Sequence, residues 1–207
     1  MEYIDEHKAA TACQAATACQ DTRERLIAIA LDRFSRQGYE AAGIQEIVDA
    51  AGTTKPSLYY YFGSKQGLLE TIAVEYGEKL AGMVEEAAEY RRNLVMNLRE
   101  LFNRTIQFAE ENPQFFRLAV NLFSAAAETV PYNAGKALRK RLVSALTGLF
   151  RTAAHDHGNM KGRELLYGET FFLLLQSCAI LCLNGELTLD DHTRYRIIHQ
   201  YMHGIFS

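Results

Sequence analysis

Three glycines, Gly38, Gly52 and Gly63, each close a run of apolar residues at helical spacing, and this rhythm constrains the chain more than any other feature. Before Gly38, the residues Leu26, Ile27, Ala30, Leu31 and Phe34 recur with the period of a helix that buries one face. Asp21, with Glu24 three residues on, has the form of a capping box at its start. The shorter run before Gly52 repeats the pattern with Ile44, Ile47, Val48 and Ala51. After it, Thr54 stands where a cap belongs and Pro56 falls in a first turn, where a missing amide costs nothing. The spacing predicts helices over Thr22 to Gln37, Ile44 to Ala51, and Pro56 to the residue before Gly63. A long helix followed by two short ones around a tight glycine-bearing turn is a helix-turn-helix pattern.

The third of these helices contains Tyr59, Tyr60 and Tyr61 in succession. A helix turns about 100° per residue, so three neighbours cannot share one face. With Leu58 taken as the inward direction, Phe62 lies about 40° from it, Tyr61 about 60° to the other side and Tyr60 about 160° away. Leu58 and Phe62 are therefore expected in the core. Tyr60 and Pro56 should point outward, with Tyr59 and Ser57 flanking that face and Tyr61 at its boundary. Lys55 and Lys65 bracket the segment.

The rest of the chain carries the same kind of punctuation. Ser64 caps a fourth helix through LLETIAVEYGEKLAGMVEEAAEY, and breaks at Asn112, VPYNAG, HDHGNMKG and LNGE divide the remainder into five more. These run over about Asn93 to Glu111, Pro113 to Thr129, Asn133 to His155, Gly162 to Leu183 and Asp190 to Ile205. No segment alternates as a strand does. The expected fold is all-α with about nine helices: a tail at 1–20, a helix-turn-helix domain at 21–68 and a larger helical domain at 69–207. The tail contains AATACQ twice in succession; it has little to bury and is expected to be a mobile extension.

The net charge of -3 offers no global attraction to nucleic acid, so any such contact must come from a local surface. Cys13, Cys19, Cys178 and Cys182 are too few for a disulfide framework in a chain of 207 residues. The start MEYIDEHK lacks the basic and apolar regions of a secretory signal, and the run FFLLLQSCAILCL is read as a buried helix and not as a membrane span. A cytoplasmic protein with no membrane partner is expected.

From Thr22 to Leu69 the run TRERLIAIALDRFSRQGYEAAGIQEIVDAAGTTKPSLYYYFGSKQGLL closely resembles the DNA-binding domain of the tetracycline-repressor (TetR) family of bacterial transcription regulators. The resemblance rests on a combination at the right separations: F-x-x-x-G-Y, then I-x-x-I-V-x-x-A-G, then K-x-S-L-Y-x-Y-F-x-S-K. It implies a homodimer, paired through its two last helices, that binds a palindromic operator on double-stranded DNA and is released when a small-molecule effector enters the carboxy-terminal domain. No cofactor and no metal site are implied. The residues that match the DNA-binding positions are Gln45, Thr54, Lys55, Pro56, Ser57, Tyr59, Tyr60, Tyr61 and Lys65, with Lys65 matching a phosphate contact and Gln45 a base contact in some relatives. Gly43 departs from the family, many of whose members cap the second helix with Ser or Thr and touch a phosphate there.

Physical chemistry agrees with that face. A tyrosine can offer its ring edge to a thymine methyl and its hydroxyl to a phosphate or base edge. Two other function classes stand beside this one. The pairs Cys178/Cys182 and His199/His203, each four residues apart, raise a metal- or thiol-sensing regulator of the same fold. A helical carrier or enzyme is the other, although no nucleophile elbow, phosphate loop or catalytic triad order is present and no catalytic residue is assigned. Phe102, Phe108, Phe115, Phe116, Leu118, Phe123, Phe150, Tyr167, Phe171 and Phe172 are expected mostly to form the core of the larger domain, a few of them lining a cavity.

Overall fold

The structure, a computed structural model, describes the backbone of residues 3–157 and 160–203 and the side chains of residues 20–157 and 160–203. The described residues form nine α-helices and no strand: α1 (Tyr3–Gln37), α2 (Ile44–Ala50), α3 (Lys55–Phe62), α4 (Lys65–Ala87), α5 (Leu94–Glu111), α6 (Pro113–Phe123), α7 (Val130–Ala153), α8 (Glu164–Leu183) and α9 (Asp191–His203). They divide into two compact units, Met1–Ile72 and Ala73–Ser207, with the boundary inside α4.

In the first unit, α1, α2 and α3 pack on one another. Leu26, Phe34, Ile47 and Leu58 are each 0% exposed. Burying each such side chain is worth about 1.5–3 kcal/mol, which holds two helices too short to be stable alone. Gly38 (φ 83), Gly52 (φ 61) and Gly63 (φ 70) occupy the left-handed region at the three helix ends, where a side chain would be strained.

One boundary of this unit differs from expectation. The first helix does not begin at Asp21 but runs on from Tyr3. The alanine-rich repeat has high helix propensity, so nothing forces a start at Asp21. The Asp21 carboxylate accepts from the Arg25 guanidinium at 2.6 Å, one turn on, instead of capping. The side chains of residues 1–19 lie outside the described residues, and with them the expected mobile extension and the surroundings of Cys13 and Cys19.

The second unit is built on α7 and α8, its most extensive helix pair, with α5 against α6, α8 and α9. Two glycines let backbones approach where any side chain would collide. A Cβ on Gly168 of α8 would lie 2.7 Å from Thr147 Oγ1 of α7, and one on Gly135 of α7 would lie 2.7 Å from Leu122 Cβ of α6. Asn97, 2% exposed, ties the turn between α4 and α5. Its amide donates to the carbonyls of Ala87 (3.0 Å) and Glu89 (2.7 Å) and accepts from the amide of Arg91 (3.1 Å). Arg117 closes the end of α8, donating to the Leu183 carbonyl at 2.8 Å and to Asn184 Oδ1 at 2.7 Å.

The sixth helix is shorter than its pattern predicts, ending at Phe123 and not at Thr129. Thr129 is instead the cap of α7, accepting from the amide of Tyr132, with Pro131 in the first turn. The VPYNAG segment thus opens a helix instead of breaking one, because a proline at the first turn loses no hydrogen bond.

Candidate nucleic-acid interface and ligand cavities

The outward face of α3 is set by its caps. Thr54, extended at φ -124 and ψ 158, accepts from the amide of Ser57, and its hydroxyl lies 3.1 Å from the Ser57 hydroxyl. Pro56 fills the first turn, and the Gly63 amide donates to the Tyr59 carbonyl at 2.8 Å. Exposure along the helix follows the helical angles. Leu58 is 0% and Phe62 8% exposed, whereas Tyr59 is 46% and Tyr60 80% exposed. Tyr61 is half-buried, its ring edge-on to Tyr60 at 5.2 Å and tilted against Phe62 at 6.0 Å. Lys55 and Pro56 are exposed beside them. An exposed ring as large as Tyr60, held on a rigid helix beside a second phenol and an ammonium, forms a surface suited to a ligand that is both flat and anionic.

Beyond α3, Ser64 caps α4 by accepting from the Gly67 amide at 2.9 Å. Gly67 is there for space: a Cβ on it would lie 2.0 Å from the Phe62 carbonyl oxygen, so only glycine lets α4 start this close to the end of α3. Lys65 does not stand free. Its ammonium donates to the Glu40 carbonyl at 3.2 Å and sits 4.3 Å from the centre of the Tyr39 ring, and burial pulls its pKa below the usual lysine range. Tyr39 is thus the platform that fixes Lys65, a role not assigned from the sequence although the residue lies in the F-x-x-x-G-Y motif. On α2, exposed Gln45 donates to Asp49 at 2.6 Å, and Gly43 caps the helix with no side-chain hydrogen bond. Of the nine candidate residues, six lie on α3, Thr54 and Lys65 flank it and Gln45 lies on α2, with Lys65 and Gln45 each already engaged within the unit.

The second unit contains two cavities of different character. A tight one of about 20 Å³ is walled by Leu80, Val84, Phe116, Phe123, Leu142 and Phe172, with Gln176 at its edge. Thr105 also faces it, and its buried hydroxyl has no hydrogen-bond partner among the described residues. A roomier one of about 440 Å³ lies among Leu94, Leu98, Phe150, Met160, Tyr167 and Tyr201. Arg141, on α7, forks onto two α4 carboxylates, donating to Glu85 at 2.6 and 2.8 Å and to Glu78 at 2.7 and 2.8 Å. These contacts hold the Glu85 carboxyl below its usual range.

The paired cysteines and histidines do not gather into a site. Cys178 is buried and Cys182 partly so, and burial raises both thiols, which disfavours the thiolate a redox sensor needs. The His199 and His203 rings lie 4.4 Å apart. Among the described residues no group of three or more His, Cys, Asp or Glu side chains could hold a metal.

Residues 26–72 match the family described as bacterial regulatory proteins, tetR family. The chain is 33% identical over 187 residues to the HTH-type transcriptional activator FasR of Mycolicibacterium smegmatis, covering 90% of this chain and 84% of that one. Its fold is shared by the TetR family transcriptional regulator PfmR of Thermus thermophilus, at 24% identity and a TM-score of 0.69 over 88% of this chain and 100% of that one. It is shared too by the regulator FadR of Bacillus subtilis, solved in complex with stearoyl-CoA, at 14% identity and a TM-score of 0.70 over 88% of this chain and 98% of that one. With the capped α3, its exposed tyrosines and a relative matched over most of both lengths, the chain belongs to the TetR family and is a helix-turn-helix, DNA-binding transcriptional regulator.

Proposed function

We propose that this protein is a cytoplasmic homodimeric repressor that binds a palindromic operator through α3 and releases it when a small molecule enters the second unit. The observation that carries the DNA part is Tyr60, a large aromatic side chain 80% exposed on a helix whose opposite face is core. In this reading Tyr60 enters the major groove, while Tyr59 and Ser57 flank it and Lys55 reaches a phosphate. Thr54 and Pro56 set the helix start against the backbone, and Tyr61 braces the ring of Tyr60. Lys65 presents its charge from the Tyr39 platform, and Gln45 exchanges Asp49 for a base edge.

Homodimerisation is supported by α8, which is apolar on more than one side. Phe171, Phe172 and Leu175 are buried, while Leu165 (62%), Leu166 (60%) and Leu173 (55%) are exposed and fit a second copy better than water. A two-fold dimer would set its recognition helices about 34–36 Å apart, one turn of DNA. A ligand that favours another spacing lowers operator affinity by population shift, with α4 as the lever between the units. Catalysis has no part in this function.

Gel-shift binding to the intergenic DNA upstream of the gene tests the DNA face. Wild type should bind a palindromic fragment, and Tyr60→Ala should lose affinity and selectivity; equal binding by the variant would remove this face from the interface. Few cations lie on it, so the salt dependence should be shallow, with a log-log slope set by only a few phosphates per subunit. A second reading has one observation in its favour: the relative matched over most of the chain is named an activator. A reporter carrying the same operator separates the two, since a repressor raises expression when deleted and an activator lowers it.

A further inference from the structure

The two cavities of the second unit differ in what they admit. Pockets that hold drug-sized molecules run from about 300 to 1,000 Å³. The space beside Thr105, at about 20 Å³, has room for about one water molecule. The cavity among α5, α7, α8, α9 and the residues just after α7, at about 440 Å³, is already of ligand size.

The chemistry of that larger cavity is one-sided. Its body is aromatic and apolar: the Phe150 ring lies 5.5 Å from Tyr167 and 6.4 Å from Tyr201, with Met160 and Met202 beside them. The Tyr201 hydroxyl is committed to the wall, donating to the Tyr167 carbonyl at 2.7 Å, so the ring is fixed in place. Burial pushes that hydroxyl up to about 12, and it stays neutral at physiological pH. The polar groups lining the cavity include Arg92, His157 and His203, and its described lining contains no carboxylate. Exposed Arg92 takes no part in the ion pairs among the described residues, and its backbone sits at φ 59, in the left-handed region that a non-glycine residue occupies only where its surroundings hold it.

We propose that this cavity binds an amphipathic monocarboxylate, with its apolar body against Phe150, Tyr167 and Tyr201 and its carboxylate on the Arg92 guanidinium. The ligand class deepens the effector-responsive reading above and rests on it only for the consequence at the operator. Binding itself stands on the cavity's volume, its apolar walls and the Arg92 guanidinium, the one permanent charge of its described lining.

The test is calorimetric titration of the full-length protein with decanoate and, separately, with the neutral analogue decanol. Decanoate should bind more tightly than decanol. Arg92→Asn, chosen because asparagine tolerates a positive φ, should weaken decanoate roughly tenfold or more and leave decanol unchanged. Arg92→Lys should retain most of the affinity, and thermal melts of both variants report whether the fold is intact. Val84→Phe, which fills the tight cavity, should leave decanoate binding alone. Decanoate binding that survives Arg92→Asn, that is lost in Val84→Phe, or that is no tighter than decanol would overturn the proposal, as would no binding of either. Gel shifts on the same samples keep the two readings apart: decanoate bound through Arg92 without operator release upholds the site and removes its effector role.

Discussion

The first unit, Met1–Ile72, presents its candidate function on an outward helix face, and the second, Ala73–Ser207, holds its own in a cavity with aromatic walls. On α3 Leu58 and Tyr60, two residues apart, are 0% and 80% exposed, so about half a turn of helix separates a residue that holds the fold from one free to meet a partner. In the second unit such a separation is missing. Phe150 is 2% exposed and also lines the larger cavity, so packing and ligand recognition draw on the same side chains. An outward helix face can therefore change without unfolding the protein, whereas a cavity wall cannot change independently of the core around it.

The sharpest way to break that contrast is on α3 itself. Leu58→Ala should destabilise the first unit by about 2–5 kcal/mol, because a fully buried leucine leaves a cavity as well as lost burial; urea denaturation would measure it. Asn97→Ala comes next, since it leaves the buried Ala87 carbonyl and the part-buried Glu89 carbonyl and Arg91 amide without this partner. The expected loss is about 1–3 kcal/mol or somewhat more, falling on the second unit, and hydrogen exchange around the α4–α5 turn would localise it. Tyr60→Ala should cost about 1–3 kcal/mol in operator binding while leaving the melting temperature unchanged. A fall in melting temperature for Tyr60→Ala would mean that the two neighbours are not functionally separate. Smallest is Thr54→Ala, which removes the α3 cap and should cost about 1 kcal/mol of stability with a parallel, modest loss of operator affinity.

The helix-turn-helix was legible because its signals are local. Thr54, Pro56 and Gly63 act on residues within one turn, and the angles between Leu58, Tyr60 and Phe62 follow from the helix alone. Where local signals are equivocal, the helix boundaries depart from them. Asp21 and Glu24 fit a capping box, yet they sit inside α1 because the alanine-rich segment before them is itself a good helix former. Pro131 resembled a break and is a first-turn residue under the Thr129 cap.

The candidate site divides along the same line. The order and exposure of the three tyrosines could be read from the helical period, but not the hold of Tyr39 and the Glu40 carbonyl on Lys65, which joins residues 25 apart in the chain. Gly67 gave no signal of its own in the sequence, since its need for space is set by the Phe62 carbonyl across a bend. In the second unit the aromatic residues were recognisable as core, but which of them wall a cavity was not.

By itself, then, the sequence determined an all-helical chain with a capped, tyrosine-faced third helix, because caps, glycines and apolar period are properties of neighbours. Only the tertiary structure decided that Gly168 lies against Thr147, that Asn97 ties the α4–α5 turn, and that Arg92 meets an aromatic cavity already of ligand size. Those contacts depend on how separate helices fit together at close-packed density, and no local pattern of residues carries that information.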